Sequence, residues 1–251
     1  MSAAFVLTRP GLLGSPGPVF EGLTIRDSGS GAPLRRFHAR AKRKVWTFTI
    51  QSSERLKRVL DVVGALALLI ALSPMFAVVA AIIKLTDWGP VFFWQTRVGR
   101  YGREFPFPKF RSMVTNAETL KDQLLANNDH GDSVTFKMKR DPRVTRIGRI
   151  IRKLSIDELP QLWCVLKGDM SLVGPRPPVP REVAKYTLAQ RRRLDVTPGL
   201  TCIWQVSGRG DIPFPQQVEL DVKYIESQSL WTDIKLLCLT VPAVLLGKGA
   251  Y

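Results

Sequence analysis

From Val62 to Ile83 the chain carries no charged residue, VVGALALLIALSPMFAVVAAII, with Lys57 and Arg58 before it and Lys84 after it. A run of this length predicts a helix able to cross a bilayer. Ser73-Pro74 sits near its middle, where proline removes a backbone donor, clashes with the preceding turn and pushes the serine away from helical dihedrals, which predicts a break. A spanning helix normally has more Lys and Arg on its cytoplasmic side. Here both flanks are basic, so neither side reads as translocated. A helix-break-helix that enters one leaflet and returns satisfies both observations, provided that protein or the Ser73 hydroxyl covers the backbone groups exposed at the bend. A spanning helix kinked at Pro74 is the other reading of the same residues.

A second apolar segment, Trp231 to Gly247, is too short and too interrupted by Lys235 and Pro242 to span, and predicts an interfacial or core helix. Between the two lie a glycine-punctuated, aromatic-rich stretch from Val91 to Met113, a polar region to about Lys139, and a compact helical core. Within that core Leu159, Leu162, Trp163, Val165 and Leu166 recur at helical spacing and Gly168 is a natural stop, so a short helix is expected from about Asp157 to Lys167. Residues 1–50, rich in Gly, Pro, Ser and Arg, read as a weakly ordered tail. The expected organisation is a basic tail over 1–50, a membrane hairpin over 51–85, a compact domain over 86–230 and an apolar interfacial helix over 231–251.

Charge narrows the range of partners. The 251 residues include 37 Lys and Arg against 21 Asp and Glu, for a net charge of +16, which attracts nucleic acid, anionic lipid headgroups or phosphorylated substrates. The cluster Arg35, Arg36, Arg40, Lys42, Arg43 and Lys44 stands just upstream of the apolar run, where basic residues commonly meet anionic lipid. A nucleic-acid binder would leave that run without a purpose, and no nucleic-acid fingerprint is recognisable. Cys164, Cys202 and Cys238 are far apart and form no C-x-x-C pair, which supports neither a disulfide framework nor a zinc site and suits a reducing, cytoplasmic setting. The first twenty residues are interrupted by Arg9, Pro10, Pro16 and Pro18, so no secretion signal is expected.

Asp157 and Glu158 head the short helix. Ser155-x-x-Glu158 fits a capping box, and the helix dipole favours acids in any first turn, so one reading of these residues is structural. The other comes from the cations around them: Arg149, Arg152 and Lys153 precede the acids and Lys167 and Arg176 follow. A helix N-terminus with nearby arginines suits a phosphate, and a carboxylate beside bound phosphate is either a metal ligand or a nucleophile. Neighbours on a helix point about 100 degrees apart, so the two acids would divide the work rather than act as a symmetric pair. Gly174-Pro175-Arg176-Pro177-Pro178 fixes an arginine between prolines, as a rigid surface turn or as a clamp for an anion. Asp169 suits a cap or support for a cation.

The stretch from Lys57 to about Lys223 resembles the monotopic phosphoglycosyl transferases, bacterial sugar transferases that start exopolysaccharide, O-antigen and glycoprotein glycan assembly. The matching residues are Lys57-Arg58 and Ser73-Pro74; Gln95, Arg97, Gly99, Gly102, Phe105, Lys109, Phe110, Arg111 and Met113; Arg152, Ser155 and Asp157-Glu158-Leu159-Pro160-Gln161-Leu162; Lys167-Gly168-Asp169-Met170-Ser171; Gly174-Pro175-Arg176-Pro177; Pro198-Gly199-Leu200-Thr201; and Trp204-Gln205-Val206-Ser207-Gly208-Arg209. The resemblance implies a mainly helical α+β fold: a re-entrant hairpin broken at Ser73 and Pro74, and a compact catalytic domain with interfacial amphipathic helices at the cytoplasmic face of the bacterial inner membrane. It implies that Asp157 attacks the sugar-bearing phosphate of a UDP-sugar, expelling UMP, and that polyprenyl phosphate then takes the phosphosugar. Glu158, with Asp157, would hold Mg²⁺; Arg152 and Arg176 would clamp phosphate, with Lys109 and Arg111 as further candidates. Anionic membrane lipid is an expected partner, nucleic acid is not, and the oligomeric state, homo-oligomer included, is open. Cys164, Thr197 and Cys202 depart from the family's usual Asn, Arg and Gly, which points to altered packing or substrate contacts. A rival reading is a non-enzymatic membrane anchor that recruits a polysaccharide assembly complex and needs no Asp-Glu pair.

Overall fold

The computed structural model describes residues 32–117, 119–120 and 141–247, with side chains from residue 53 onward. Residues 1–31 of the tail expected over 1–50, and most of the polar region expected up to about Lys139, lie outside the described residues. By its internal contacts the chain divides into Met1–Thr49 and Ile50–Tyr251, and the side-chain contacts below belong to the second unit.

The backbone is helical from Ala32 to Asp87 (α1), so residues 32–50, expected as part of a weakly ordered tail, are helix here. The helix also runs on through Pro74, where a break was expected. A proline at position 74 withdraws the amide that would bond the carbonyl of Ile70, four residues back. The Ser73 hydroxyl donates to that same carbonyl at 2.8 Å and so supplies the missing hydrogen bond. From Ser53 to Asp87 the helix is long and apolar enough to cross a membrane by length and composition. Val63, Leu66, Ile70, Val78 and Leu85 are all exposed along it.

Polar residues at the start of the apolar run tie α1 to the rest of the unit. The Lys57 ammonium donates to Asp233 Oδ2 at 2.5 Å and to the Val173 carbonyl at 3.1 Å. Tyr224 completes the knot, its hydroxyl lying 2.7 Å from Asp233 Oδ1 and 3.1 Å from the Val173 carbonyl. Arg58 donates to the carbonyls of Val165 and Leu166 at 2.6 and 2.8 Å, near a helix C-terminus where a cation is favoured. Asp61 accepts from the Leu172 amide at 2.9 Å and the Ser171 hydroxyl at 3.0 Å.

Two strands follow, β1 (Phe92–Val98) and β2 (Glu104–Phe110), paired antiparallel with Phe92 opposite Phe110 and Val98 opposite Glu104. Alternation along β2 places Phe105, Phe107 and Lys109 on one face; the two rings are buried and Lys109 points where they point. Helix α2 (Arg146–Lys153) is capped by the Thr145 side chain, which accepts from the Gly148 amide. A 3₁₀ turn, Ile156–Gln161, leads into α3 (Leu162–Lys167), and Gly168 ends α3 at φ 92°, a left-handed value natural to glycine. Strands β3 (Ser171–Val173) and β4 (Gly199–Thr201) pair in parallel. A Cβ on Gly199 would sit 2.0 Å from the Gly174 amide nitrogen, so the approach of these two segments requires glycine. Helices α4 (Ile203–Ser207), α5 (Phe214–Glu226) and α6 (Leu230–Leu246) close the chain. The described architecture is mainly helical with a few short strands, in agreement with the expected class. The main core joins Ala65 of α1 to Phe105, Phe107, Leu162, Val165, Met170, Leu172, Tyr224 and Leu236.

Candidate active site

The turn bearing the two acids is not the capping box that Ser155-x-x-Glu158 suggested. Ser155 takes a left-handed conformation (φ 54°) and its side chain caps nothing. Pro160, inside the turn, lacks the amide a regular first helical turn would carry. Glu158 is therefore released from capping and reaches across to β2 and to the proline-flanked arginine. Its Oε1 accepts from Lys109 Nζ at 2.7 Å and from Arg176 Nη2, and its Oε2 accepts from Arg176 Nη1 at 3.0 Å. Burial alone would raise the Glu158 carboxyl, but Arg176 and Lys109 outweigh it and hold the group well below its ordinary range.

Asp157 is in the opposite situation. It is 6 % exposed and accepts no hydrogen bond among the described residues. Burial pushes its carboxyl up to about 6, with Glu158 adding to the rise and Lys109, Arg152 and Arg176 opposing it. The neighbouring acids thus sit in unlike settings: one is charged and clamped by two cations, the other desolvated and without a hydrogen bond. Burial lowers Lys109, and the Glu158 carboxylate resists that change.

The clamp is itself held rigidly. Pro175 is buried and its carbonyl accepts from the Gly199 amide at 2.9 Å, while the Gly174 amide donates to Thr201 at 3.0 Å. On the far side of Arg176, the Pro177 carbonyl accepts from Arg97 Nη1 at 2.9 Å and the Pro178 carbonyl from the Val98 amide at 2.9 Å. The backbone carrying Arg176 is therefore fixed on both sides, which limits the freedom that side chain would lose on meeting an anion.

A cavity of about 1150 Å³ opens over these groups, and Lys109, Arg152, Asp157, Glu158 and Arg176 all line it. Five of the six sequence-derived candidates are thus brought together. Arg111 is not. It is buried at the end of β2, where its guanidinium grips Asp87 at the end of α1, with Nη1 2.9 Å from Oδ2. Strand alternation alone would put Arg111 on the same face as Lys109, two residues earlier, but β2 ends at Phe110, and beyond it Arg111 turns to Asp87 rather than to the cavity. Arg97, Trp204, Gln205 and Arg209 line the cavity without having been given a role from sequence. Their signal lay in the Gln95-x-Arg97 and Trp204-to-Arg209 motifs. Arg209, at φ 53°, carries Nη1 buried without a partner, a donor available to an anion in the cavity. Cys202 donates its thiol proton to Gln205 Oε1 at 3.1 Å, which orients the amide that lines the cavity.

The donor set suits a hard divalent cation. Asp157 has both oxygens open and Glu158 Oε2 receives a single donor, and magnesium takes one or two carboxylates and completes its shell with water and substrate phosphates. Among the described residues no cluster of three or more His, Cys, Asp or Glu offers an all-protein cage.

Residues 52–247 match a family model described as bacterial sugar transferase. The chain is 53 % identical over 196 residues to a galactosyl transferase, CpsE, of Streptococcus agalactiae, covering 77 % of this chain and 43 % of that protein. It is 46 % identical over 205 residues to the undecaprenyl-phosphate galactose phosphotransferase of Salmonella typhimurium, covering 80 % and 43 %. Against the exopolysaccharide production protein ExoY of Sinorhizobium fredii it is 41 % identical over 198 residues, covering 78 % and 88 %. The chain therefore spans less than half of the first two relatives and most of the third.

Proposed function

As the chain belongs to the bacterial sugar transferases, we propose that it moves a sugar 1-phosphate from a UDP-sugar to polyprenyl phosphate and releases UMP, through a phosphosugar held on Asp157. The observation that carries this reading is the contrast within the acid pair: Asp157 buried and without a hydrogen bond, Glu158 gripped by Lys109 and Arg176, in one cavity lined by further cations. An Asp157 oxygen attacks the sugar-bearing phosphorus; the new P–O bond forms as the bond to the bridging oxygen breaks, and UMP departs. An oxygen of the acceptor phosphate then attacks the same phosphorus, the bond to Asp157 breaks, and a polyprenyl diphosphate sugar leaves the carboxylate free again. Burial aids the first step by stripping water from the nucleophile.

Arg152, Arg176 and Arg209 would hold the oxygens of the diphosphate, whose charge is spread over non-bridging positions during transfer. Lys109, fixed by Glu158, would lower the barrier by facing the same charge. Mg²⁺ held by Glu158 and Asp157 would neutralise the diphosphate and make UMP a better leaving group. A desolvated carboxylate flanked by cations is useful only if phosphate arrives beside it, and an anchor without chemistry has no need of that arrangement.

The soluble donor and the lipid-bound acceptor meet where α1 holds the unit against a membrane, which we read as the cytoplasmic face with α1 re-entrant at Ser73-Pro74. Basic residues on both sides of the apolar run support this, as does the Ser73 hydroxyl covering the Ile70 carbonyl. Labelling of single cysteines at positions 54 and 87 in spheroplasts tests it: both protected from an impermeant reagent is expected, and labelling of one alone would mean a spanning helix.

UMP release by detergent-solubilised protein given Mg²⁺, undecaprenyl phosphate and a panel of UDP-sugars tests the chemistry. Turnover that requires lipid and is abolished by Asp157→Asn is expected. Release unaffected by the substitution would remove Asp157 as the nucleophile.

A further inference from the structure

Two glutamines, Gln205 and Gln217, line the cavity, and each has one end of its amide tied, in opposite senses. Cys202 stands just before α4 and Gln205 is the third residue within it, a spacing at which two side chains face each other across the first turn of a helix. A serine at the first of these places would commonly accept from the backbone amide of the second. The Cys202 side chain caps no backbone group and instead donates its thiol proton to Gln205 Oε1 at 3.1 Å. Cys202 is fully buried, and burial, with Asp221 adding to it, raises the thiol well above its ordinary range, so it keeps the proton it donates. With the oxygen held, the Gln205 nitrogen, for which no partner is found among the described residues, is the end left to the cavity.

On α5, which packs against α4, Gln217 is 8 % exposed and its Nε2 donates to the Ile212 carbonyl at 2.8 Å. A backbone carbonyl only accepts, so nitrogen is the tied end and Oε1 is the end left over. The cavity is thus given one fixed neutral donor and one fixed neutral acceptor. Neutral amides compete poorly with Arg152, Arg176 and Arg209 for phosphate oxygens, because a charged donor makes the stronger bond. A hydroxyl, which donates and accepts at once, matches the pair. Arg176 lies close enough to Cys202 to act on its thiol, which sets Gln205 beside the arginine clamp. The group bonded to a phosphate held there is the sugar.

Resting on the reading above, we propose that Gln205 and Gln217 select the donor through a hydroxyl of its hexose, and that Cys202 is a positioning residue that fixes the sense of the Gln205 amide. Glycine, the usual residue at this place in the family that the sequence resembles, has no side chain to hold the amide, so the fixed sense belongs to this chain.

The test follows the UMP burst released by the full-length protein in detergent, with Mg²⁺ and no acceptor. The burst is measured against the concentration of the UDP-hexose that the donor panel identifies and of its monodeoxy analogues. In the native protein one analogue should need roughly tenfold more for half-saturation, the scale of one neutral hydrogen bond. Gln205→Leu should weaken the parent donor by a similar factor and no longer distinguish that analogue from it. Cys202→Ala should raise the half-saturating concentration roughly threefold with a native burst amplitude, and Cys202→Ser, which keeps a donating proton, should restore it. The Ki of UDP against the burst should stay native in every variant, which also reports an intact fold. Native half-saturation in Cys202→Ala, or a rise that serine does not restore, would remove Cys202 as a positioning residue. A deoxy penalty undiminished in Gln205→Leu would detach the amide from the sugar. A Ki for UDP that rises together with half-saturation would assign Gln205 to the nucleotide and equally overturn the proposal. Absence of a burst in the native protein would instead remove the phosphosugar reading on which the inference rests.

Discussion

Replacing Asp157 by asparagine should abolish transfer and also make the protein more stable. The Asp157 carboxyl, ordinarily near 3.8, is pushed to about 6 by burial. In the folded state it binds its proton more tightly than in the unfolded chain, so stability falls as pH rises from about 4 to about 6 and stays lower above that. At 1.36 kcal/mol for each tenfold change in proton affinity, the penalty at pH 8 is about 3 kcal/mol. Asparagine has nearly the same shape and no charge, and Asp157 accepts no hydrogen bond among the described residues that the change would forfeit. The variant should therefore recover most of this energy, or roughly 6–12 °C in Tm for a unit of about 200 residues. The gain should shrink to about half at pH 5 and vanish toward pH 3.5. Thermal unfolding of both proteins in the same detergent, followed by tryptophan fluorescence at pH 5 and pH 8, measures it. A variant no more stable than the native chain at pH 8, or a gain that does not depend on pH, would refute the reasoning that burial, rather than partners, governs this carboxyl.

Three further outcomes follow from the same geometry. The rate of the UMP burst should fall about tenfold per pH unit below pH 6, because only ionised Asp157 attacks; in Lys109→Met the acid limb should move to higher pH, since Lys109 is the main group opposing the rise, and an unmoved limb would exclude that coupling. Asp233→Ala leaves the Lys57 ammonium without its carboxylate in a largely buried setting and should cost about 3–5 kcal/mol, whereas Tyr224→Phe should cost about 1–2 kcal/mol; equilibrium melts of the two variants check that order. Arg111→Ala, which frees Asp87 at the end of α1, should lower Tm while the burst per folded molecule keeps its native rate, and a raised KM for the UDP-sugar would return Arg111 to the substrate site.

The sequence by itself determined the elements and much of the chemistry. The uncharged run from Val62 to Ile83 read as apolar helix, although the break expected at Ser73-Pro74 does not interrupt it, and Gly168 ended α3 because its left-handed φ suits glycine. Asp157, Glu158, Arg152 and Arg176 were legible because cations and acids recur together around a fixed turn, whereas Lys109 came only from the family resemblance. Local pattern could not decide what each acid does. Ser155 and Glu158 have the spacing of a capping box, and only the left-handed backbone at Ser155 and the approach of β2 and Arg176 withdrew Glu158 from that role. Nor could it tell Lys109 from Arg111, two residues apart in one motif, since the end of β2 at Phe110 and the position of Asp87 at the end of a distant helix separate them. Burial governs the Asp157 carboxyl, and burial is a property of the packed surroundings. The wall that α1 and α6 give the cavity is likewise a tertiary feature, held where Lys57, Asp61 and Asp233 tie α1, β3 and α6 together. Spacing along a chain fixes which residues share a face, and tertiary contact decides what that face meets.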